Sequence, residues 1–437
     1  MTYPETALCA NMDRLEGRLR FAGQDTLALA KAYGTPLYLM DEDRIRYNCS
    51  LYREAFAKCF PACSLVLYAS KAASFRQMCR IVQGEGLGLD VVSSGEIYTA
   101  WTAGFPMERV YYHGNSKSDA DLEYALDAGV GCIVVDGEEE LLALEAAAAR
   151  RGTVQKVLLR ITPGIDPHTY DAVSTGQVDS KFGVSIETGQ AEPFVALALA
   201  QPHLRVAGYH CHVGSQVFWE DVFERSVMVM MAFVRTIRDS CGYVPEELDL
   251  GGGYGVRYVK SDPEINIPRK IASVAETLYA IAKRLDLPVP KILMEPGRSI
   301  VADAGMTLYT VGTVKEITGY KRYVAIDGGM SDNPRYALYG SQYTCFNAGR
   351  MDDPADMRCD LVGKCCESGD IIQPDILLPG TTQRGDVVAV CTTGAYNFSM
   401  ASGYNRLPRP PVIMLKNGGS YVAVKGETLD DIIRLDQ

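Results

Sequence analysis

The sequence predicts an α/β protein in which a parallel (β/α)8 barrel of the TIM type is followed by a mostly antiparallel β domain. From about residue 44 to 306, eight short β-rich runs alternate with helical patterns, as they do in a closed parallel barrel. No GxGxxG turn follows the first run, which argues against an open sheet that binds a dinucleotide. After residue 306 the pattern changes to strands separated by turns, which is typical of antiparallel structure.

Each predicted barrel strand is a short β-rich run, and helical patterns such as SGEIYTAWTAG and GEEELLALEAAAARRG lie between these runs. Ser or Asp residues that start helices, and Gly residues that end them, mark the boundaries. The predicted strands are LVLYA (65–69), LGLDVV (87–92), RVYYH (109–113), CIVVD (132–136), KVLLRI (156–161), VAGYHC (206–211), LDLGG (248–252) and KILME (291–295). We therefore assign residues 44–306 to the barrel, and residues 1–43 and 307–437 to the β domain, which we expect to complete the substrate site.

Composition excludes several classes of partner. The formal net charge of −11 argues against nucleic acid, whose binding depends on Lys and Arg that neutralise phosphates. The first thirty residues lack a basic start followed by an apolar run, and the longest apolar stretch, 227–234, is too short to span a bilayer. The thirteen cysteines are odd in number and show no paired CxxC spacing, so we expect a reducing cytoplasm, no membrane contact and a small-molecule ligand.

Residues with chemically useful side chains follow the predicted strands. In a (β/α)8 barrel such positions gather at one face, at the carboxyl ends of the strands. They are Lys71, Asp90, His113, His210, His212, the glycine run 251–253, Glu295 and Arg298. The sequence therefore predicts one site at the carboxyl end of the barrel.

This set of residues matches the requirements of pyridoxal phosphate. A lysine amine, here Lys71, forms a Schiff base with the cofactor. Glycine backbone holds a phosphate, the flat His212 packs on the ring, and Glu295 faces the ring nitrogen. His210 and His212 are two residues apart on a strand, so a zinc-dependent barrel hydrolase stays open as an alternative, although only five histidines exist in the chain.

Six motifs, in consistent order from about residue 35 to 410, carry a family resemblance. They are YASKAA, HCHVGSQ, LDLGGGYG, EPGRS, CESGD and GAYNFSMASGYN. Together they resemble the fold-type III pyridoxal-phosphate decarboxylases and, within them, the diaminopimelate decarboxylases. The resemblance implies pyridoxal 5'-phosphate as the cofactor, with no metal. It implies Lys71 as the Schiff-base residue, and a cofactor site formed by Lys71, Asp90, His212, Ser215, Gly252, Gly253, Glu295, Pro296, Gly297, Arg298 and Tyr396.

The resemblance also implies how the substrate is held. Arg335 and Tyr339 in RYALYG match the family's arginine and tyrosine, and Cys366 and Glu367 in CESGD match its proton donor and the residue that reads the distal amino group. The implied substrate-binding residues are Arg298, Arg335, Tyr339, Glu367 and Tyr396, with Cys366 catalytic. Cys366 and Glu367 are expected to enter the site from the neighbouring subunit of a homodimer.

The implied reaction is the decarboxylation of meso-2,6-diaminopimelate to L-lysine and carbon dioxide, the last step of lysine biosynthesis. Related ornithine, arginine or carboxynorspermidine decarboxylases, and a non-catalytic binding homologue, stay open as alternatives. Three departures from the family pattern bear on this choice. They are Ala73, where the family usually has asparagine, SDNP before Arg335, and Lys364 and Cys365 directly before Cys366. Cys365 has to be distinguished from Cys366, the expected proton donor.

Overall fold

A computed structural model describes residues 10–165, 179–218 and 221–437. Residues 1–9, which belong to the predicted β domain, lie outside the described residues. The chain divides into two compact units. The barrel unit consists of the described residues of Asn48–Gly255 and Ile265–Gly297, and the sheet unit of those of Met1–Tyr47, Val256–Glu264 and Arg298–Gln437. Within the described ranges, no helix is long and apolar enough to cross a bilayer.

The N-terminal segment begins with a small antiparallel sheet and ends in a long helix. Strands β1, β2 and β3 pair in chain order. The Asp25 side chain caps the first helix by accepting hydrogen bonds from two backbone N–H groups. The elements are β1 (Met12–Leu15), β2 (Arg18–Phe21), β3 (Gln24–Asp25), α1 (Thr26–Tyr33), β4 (Leu37–Asp41) and α2 (Glu42–Cys59).

The barrel unit contains the eight predicted strands and one additional short strand. The strands are β5 (Leu65–Ala69), β6 (Gly88–Val91), β7 (Val110–Tyr112), β8 (Cys132–Val135), β9 (Gln155–Thr162), β10 (Val184–Ser185), β11 (Leu204–His210), β12 (Glu247–Asp249) and β13 (Lys291–Met294). The helices are α3 (Arg76–Gly84), α4 (Ser94–Ala103), α5 (Asp119–Asp127), α6 (Glu138–Arg151), α7 (Ala191–Leu199), α8 (Val222–Cys241) and α9 (Ile267–Leu285).

Local sequence signals explain where the barrel helices begin and end. A reciprocal capping box between Ser118 and Asp121 starts α5. Gly104 and Gly152 end α4 and α6 in the left-handed conformation, which glycine adopts without the cost that a Cβ imposes. The two helices whose sequence patterns were given, α4 and α6, therefore begin and end within one residue of the predicted positions.

Parallel pairing closes the eight strands into a barrel. Each strand pairs with its neighbours in the order β5-β6-β7-β8 and β9-β11-β12-β13, and β13 returns to β5. The pairing of β8 with β9, for example Ile133 with Val157, completes the circle. Short β10 pairs only with the end of β9 among the named strands. The predicted closed (β/α)8 barrel is confirmed.

The C-terminal segment is rich in strands. Its strands are β14 (Gly305–Ile317), β15 (Lys321–Ile326), β16 (Cys345–Asn347), β17 (Met357–Val362), β18 (Ile371–Leu378), β19 (Val387–Cys391), β20 (Val412–Lys416) and β21 (Gly419–Val424). Its helices are short: α10 (Arg298–Val301), α11 (Arg335–Tyr339) and α12 (Leu429–Ile433). Strands β16 and β18 were not predicted from the sequence.

The second large sheet is mostly antiparallel, as predicted. Strand β14 pairs antiparallel with β4, β15 and β19, whereas β4–β20 and β15–β17 are parallel. Apolar side chains from β4, β14 and β20 are buried together with those of β1, β2 and α1. This core explains why β4, which is far from the other strands in sequence, belongs to the sheet unit.

The interior of the barrel is layered, because alternate residues of every strand point inward. On β13 and just after it, Lys291, Leu293 and Glu295 occupy three successive inward positions. Leu293 belongs to a buried cluster with Leu67, Tyr111, Cys132, Val134, Leu158 and Ala207. An apolar layer therefore separates charged groups at the two ends of the barrel.

Charged groups at the amino end of the barrel form one hydrogen-bonded cluster. Glu247 accepts hydrogen bonds from Lys156 at 2.7 Å, from Lys291 at 2.9 Å and from the Tyr111 hydroxyl at 3.0 Å. The Glu247 side chain is 8% exposed and the two lysine side chains about one fifth exposed. One carboxylate thus compensates two partly buried ammonium groups.

We predict that Glu247→Ala destabilises the protein by about 3 kcal/mol, because it leaves buried lysine charges without a counter-ion. The adjacent Glu246→Ala is the matched control. Glu246 pairs with Arg205 at an exposed position, so its loss should change the stability by less than about 0.5 kcal/mol. Urea unfolding of both variants tests this, and equal midpoints for the two would contradict it.

Candidate active site

Glu295 lies at the carboxyl end of the barrel between two histidines. Its Oε1 is 2.7 Å from Nε2 of His113, and its Oε2 is 3.3 Å from Nε2 of His210. The two imidazole rings meet edge to face with centroids 4.8 Å apart, and all three side chains are buried. The end of β13 and the ends of β7 and β11 therefore bring these groups together.

The electrostatics of this group favour an ionised carboxylate. Burial raises the pKa of Glu295, but the neighbouring His113 and His210 outweigh burial and hold that pKa well below its usual range. Burial lowers the pKa of His210 to about 3, so this ring is neutral at physiological pH. A buried carboxylate of this kind is suited to a cationic N–H group of a ligand.

Lys71 and Asp90 lie at the ends of the neighbouring strands β5 and β6. Lys71 belongs to a short 3-10 turn that follows β5, and the Tyr68 hydroxyl donates to the Ala73 carbonyl at 3.0 Å across this turn. The Lys71 Nζ is 3.8 Å from Oδ2 of Asp90. Burial raises the pKa of Asp90, although His113 and Lys71 oppose that effect. The lysine amine is therefore partly exposed beside a buried carboxyl group.

His212 is held in one tautomer by the glycine run. The Gly252 N–H donates to Nδ1 of His212 at 3.2 Å, so the proton of the neutral ring lies on Nε2. Burial, and then Lys71, hold the pKa of His212 well below its usual range. The ring is thus a flat, neutral, half-buried surface beside Lys71, and Ser215 follows in the same loop after β11.

Close backbone packing explains the glycines and the proline near this site. A Cβ on Gly253, whose φ is +119°, would lie 2.1 Å from the Gly214 carbonyl oxygen. The Pro296 carbonyl accepts a hydrogen bond from Ala69 N–H at 3.2 Å, and Gly297 packs against Ala69. Pro296 and Gly297 therefore join the strand that ends in Lys71 to the strand that ends in Glu295.

The barrel residues fit pyridoxal phosphate. Both carboxylate oxygens of Asp90 and Oε1 of Glu295 are buried without a well-directed hydrogen bond in the described structure, which is the state expected of groups awaiting a polar ligand. The glycine run leaves no room for side chains, and a lysine amine and a flat imidazole lie beside it. These are the groups that a cofactor with a phosphate, an aldehyde and a ring nitrogen requires.

A second group of predicted residues meets within the sheet unit. The Arg298 guanidinium lies 4.7 Å from the centre of the Tyr396 ring, and the Arg335 guanidinium lies 5.4 Å from the same ring. Arg298 also donates to the Tyr258 hydroxyl at 2.7 Å. Both arginines are 6% exposed. Two buried cations thus share one aromatic ring.

Arg335 has polar and aromatic contacts but no carboxylate partner. Its guanidinium contacts the Tyr339 ring at 5.3 Å and donates to the Ser341 hydroxyl at 3.3 Å. Its Nε is buried without a hydrogen-bond partner, and no carboxylate among the described residues lies within ion-pair distance of it. A buried guanidinium in this state is suited to an anionic ligand group.

The two adjacent cysteines differ in exposure. Cys365 is buried, with its Sγ 3.8 Å from the Ser331 hydroxyl, and burial raises its pKa. Cys366 and Glu367 are exposed. The Cys366 thiol is therefore the accessible one of the pair.

Sequence reasoning missed several groups near these residues. The sequence placed His113 and His210 at this end of the barrel but gave neither a role beside the carboxylate, yet both contact Glu295. Arg160 on β9 is buried, with its guanidinium 4.3 Å from the Phe182 ring. Tyr258 was not singled out at all. Arg160 follows the inward-facing Leu158 by two residues, as Glu295 follows Leu293, and this spacing could have identified it.

The family follows from comparison with known proteins. The sequence family described as 'Pyridoxal-dependent decarboxylase, pyridoxal binding domain' matches residues 43–302. A diaminopimelate decarboxylase of Bacillus subtilis (strain 168) is 45% identical over 420 residues, which cover 96% of this chain and 95% of that protein. This chain belongs to the diaminopimelate decarboxylase family. The family's protein from Mycobacterium tuberculosis (strain ATCC 25618 / H37Rv) is 42% identical over 430 residues, covering 96% of this chain and 95% of that protein.

Solved structures agree with the family assignment. Diaminopimelate decarboxylase from M. jannaschii, in co-complex with L-lysine, matches with a TM-score of 0.90 at 31% identity and covers 99% of each chain. A lysine/ornithine decarboxylase from Vibrio vulnificus, complexed with putrescine, matches with a TM-score of 0.75 at 26% identity, covering 90% of this chain and 97% of that one.

Membership of the family confirms three predictions made from the sequence. The chain is a pyridoxal-phosphate-dependent decarboxylase, its cofactor is pyridoxal phosphate, and its fold is a (β/α)8 barrel with a mostly antiparallel sheet. The zinc hydrolase alternative is wrong for this family. The ligand atoms of His113, His210 and Glu295 do lie within 4.8 Å of one another, but the family's chemistry depends on pyridoxal phosphate.

Proposed function

We propose that this enzyme decarboxylates meso-2,6-diaminopimelate to L-lysine and carbon dioxide, the last step of lysine biosynthesis. The observation that carries the proposal is the buried Arg335, whose Nε has no hydrogen-bond partner. A substrate with a carboxylate at its far end would satisfy this cation, whereas ornithine or lysine would leave it unpaired. The relatives named diaminopimelate decarboxylase support the same substrate.

The barrel residues hold the cofactor in this proposal. Lys71 would bind its aldehyde carbon, Glu295 would face its ring nitrogen and His212 would pack on its ring, with Asp90 beside the lysine. Ser215, Gly252 and Gly253 would hold the phosphate, and Pro296 and Gly297 support Glu295. When bound, pyridoxal phosphate supplies a ring that accepts the electron pair left on the α-carbon as carbon dioxide departs.

Residues of the sheet unit act on the substrate. Arg298 and Arg335 bind carboxylate groups, Tyr339 and Tyr396 pack against the guanidinium groups, and Glu367 accepts hydrogen bonds from the distal ammonium group. Cys366 Sγ delivers a proton to the α-carbon. The exposure of Cys366 and the burial of Cys365 support Cys366 as the donor.

We predict that Arg335→Ala lowers kcat/KM for diaminopimelate roughly a thousandfold, because a buried charged contact to the distal carboxylate is lost. Its effect on ornithine turnover should be far smaller. Arg322→Ala is the control, since Arg322 pairs with Glu316 at an exposed position of the same unit.

Comparable turnover of diaminopimelate and ornithine by the unmodified enzyme would contradict the proposal. It would favour the polyamine-forming alternative. The structural match to the lysine/ornithine decarboxylase is consistent with that alternative.

The assembly and location of the enzyme form a further part of the proposal. We propose a homodimer in which Cys366 and Glu367 of one copy complete the site of the other, as the family resemblance implies. The exposure of both residues within their own copy supports this. Every cysteine in the described part of the chain is a free thiol, which supports a reducing cytoplasm.

We predict that mixing inactive Lys71→Ala with inactive Cys366→Ala restores up to about a quarter of the wild-type activity, because hybrid dimers contain one intact site. Mixing Lys71→Ala with Glu295→Ala is the control. Both residues belong to the barrel unit, so these hybrids should contain no intact site. Equal recovery in both mixtures, or none in either after verified subunit exchange, would contradict a shared site.

A further inference from the structure

Two segments of the sheet unit carry residues with proposed roles in substrate binding and proton transfer. The arginine segment, residues 328–335, leads into Arg335. The thiol segment, residues 363–370, contains Cys366 and Glu367. They are separated by 27 intervening residues, 336–362, in the chain, and each could in principle adopt its conformation independently of the other.

The arginine segment is fixed by a buried carboxylate. Asp332 accepts hydrogen bonds from the Tyr309 hydroxyl and, at 2.9 Å, from the Gly329 N–H. The Tyr38 hydroxyl donates to the Asp332 carbonyl at 2.5 Å. Strands β4 and β14 therefore hold the residues that precede Arg335.

A second buried carboxylate joins the two segments. Oδ1 of Asp370 accepts the Met330 N–H at 2.6 Å, and Oδ2 accepts the Cys365 N–H at 2.7 Å. The Lys364 N–H donates to the Gly328 carbonyl at 2.9 Å. Asp370 is 3% exposed. Its side chain thus bonds one segment through one oxygen and the other through the second oxygen.

The segments also touch directly at glycine positions. A Cβ on Gly363 would lie 2.2 Å from Oδ2 of Asp370 and 2.4 Å from Cα of Gly329. The contact between the segments is therefore backbone to backbone, and the Asp370 carboxylate fills the space beside it.

Asn405 holds the thiol segment from another side. Its Oδ1 accepts the Cys366 N–H at 2.6 Å, and its backbone has a positive φ of 52°. Cys365 N–H and Cys366 N–H, two successive donors, thus have acceptors on Asp370 and Asn405. These bonds leave the position of the Cys366 Cα little freedom.

We propose that Asp370 and Asn405 are positioning residues that fix the Cys366 thiol so that its proton reaches one face of the α-carbon. This inference rests on the proposed function. In that reaction the bond between the α-carbon and its carboxyl group breaks and carbon dioxide leaves. A proton from Cys366 Sγ then forms the new C–H bond, and solvent returns a proton to the thiolate.

The test is the stereochemistry of protonation in deuterium oxide. Each turnover places one deuterium on the carbon that lost carbon dioxide, and the wild-type enzyme should give a single configuration. Asp370→Asn puts an amide NH2 against one of the two backbone N–H groups. It should lower kcat by about 10- to 100-fold, the loss typical of a displaced catalytic group, and give both configurations.

Matched variants separate positioning from stability. Asp386 also accepts a backbone N–H, that of Gln383, and pairs with Arg350. Asp386→Asn should lower the thermal midpoint yet keep a single configuration. Asn405→Gly permits the positive φ but removes the acceptor, so it should give both configurations, whereas Asn405→Asp keeps the oxygen and should give one. If Asp370→Asn fails to fold, the comparison of Asn405→Gly with Asn405→Asp tests the inference.

A single configuration from Asp370→Asn and Asn405→Gly, even with reduced activity, would overturn the inference and leave the proposed function intact. Absence of lysine formation from diaminopimelate by the wild-type enzyme would overturn both. These two failures are distinguished by the wild-type measurement alone.

Discussion

The contact of Glu295 with His113 and His210 is the interaction on which the carboxyl end of the barrel depends. A buried carboxylate costs several kcal/mol unless its surroundings compensate it, and here two histidine nitrogens approach its two oxygens. The contact joins the carboxyl ends of strands β7, β11 and β13. It also keeps the carboxylate ionised, which is the state that the proposed role beside a cationic ring nitrogen requires.

The apolar layer of the barrel interior separates Glu295 from the buried charges at the amino end of the barrel. Leu67, Val134, Leu158 and Leu293 lie in an apolar cluster, with the Glu247 ion cluster on its amino-terminal side. In the sheet unit, Asp332 fixes the segment that leads into Arg335, and Asp370 joins that segment to the one that carries Cys366.

The barrel was predictable because its strands are short apolar runs between capped helices, and each of these signals is local. Strand β18 was not, because Pro374 and Asp375 interrupt it and only pairing with β17 makes it a strand. For the candidate site, position after a strand was enough to propose Lys71 and Glu295. The contact of Glu295 with His113, and the shared ring of Arg298, Arg335 and Tyr396, depend on tertiary structure that no local pattern encodes.

The most direct test of the account is the protonation state of the cofactor's ring nitrogen, measured by 15N NMR on the holoenzyme with labelled pyridoxal phosphate. The ionised Glu295 should keep that nitrogen protonated at neutral pH, and Glu295→Gln, which removes the negative charge, should leave it neutral. A neutral nitrogen in the wild-type enzyme, or a protonated one that Glu295→Gln does not change, would contradict the role assigned to this carboxylate.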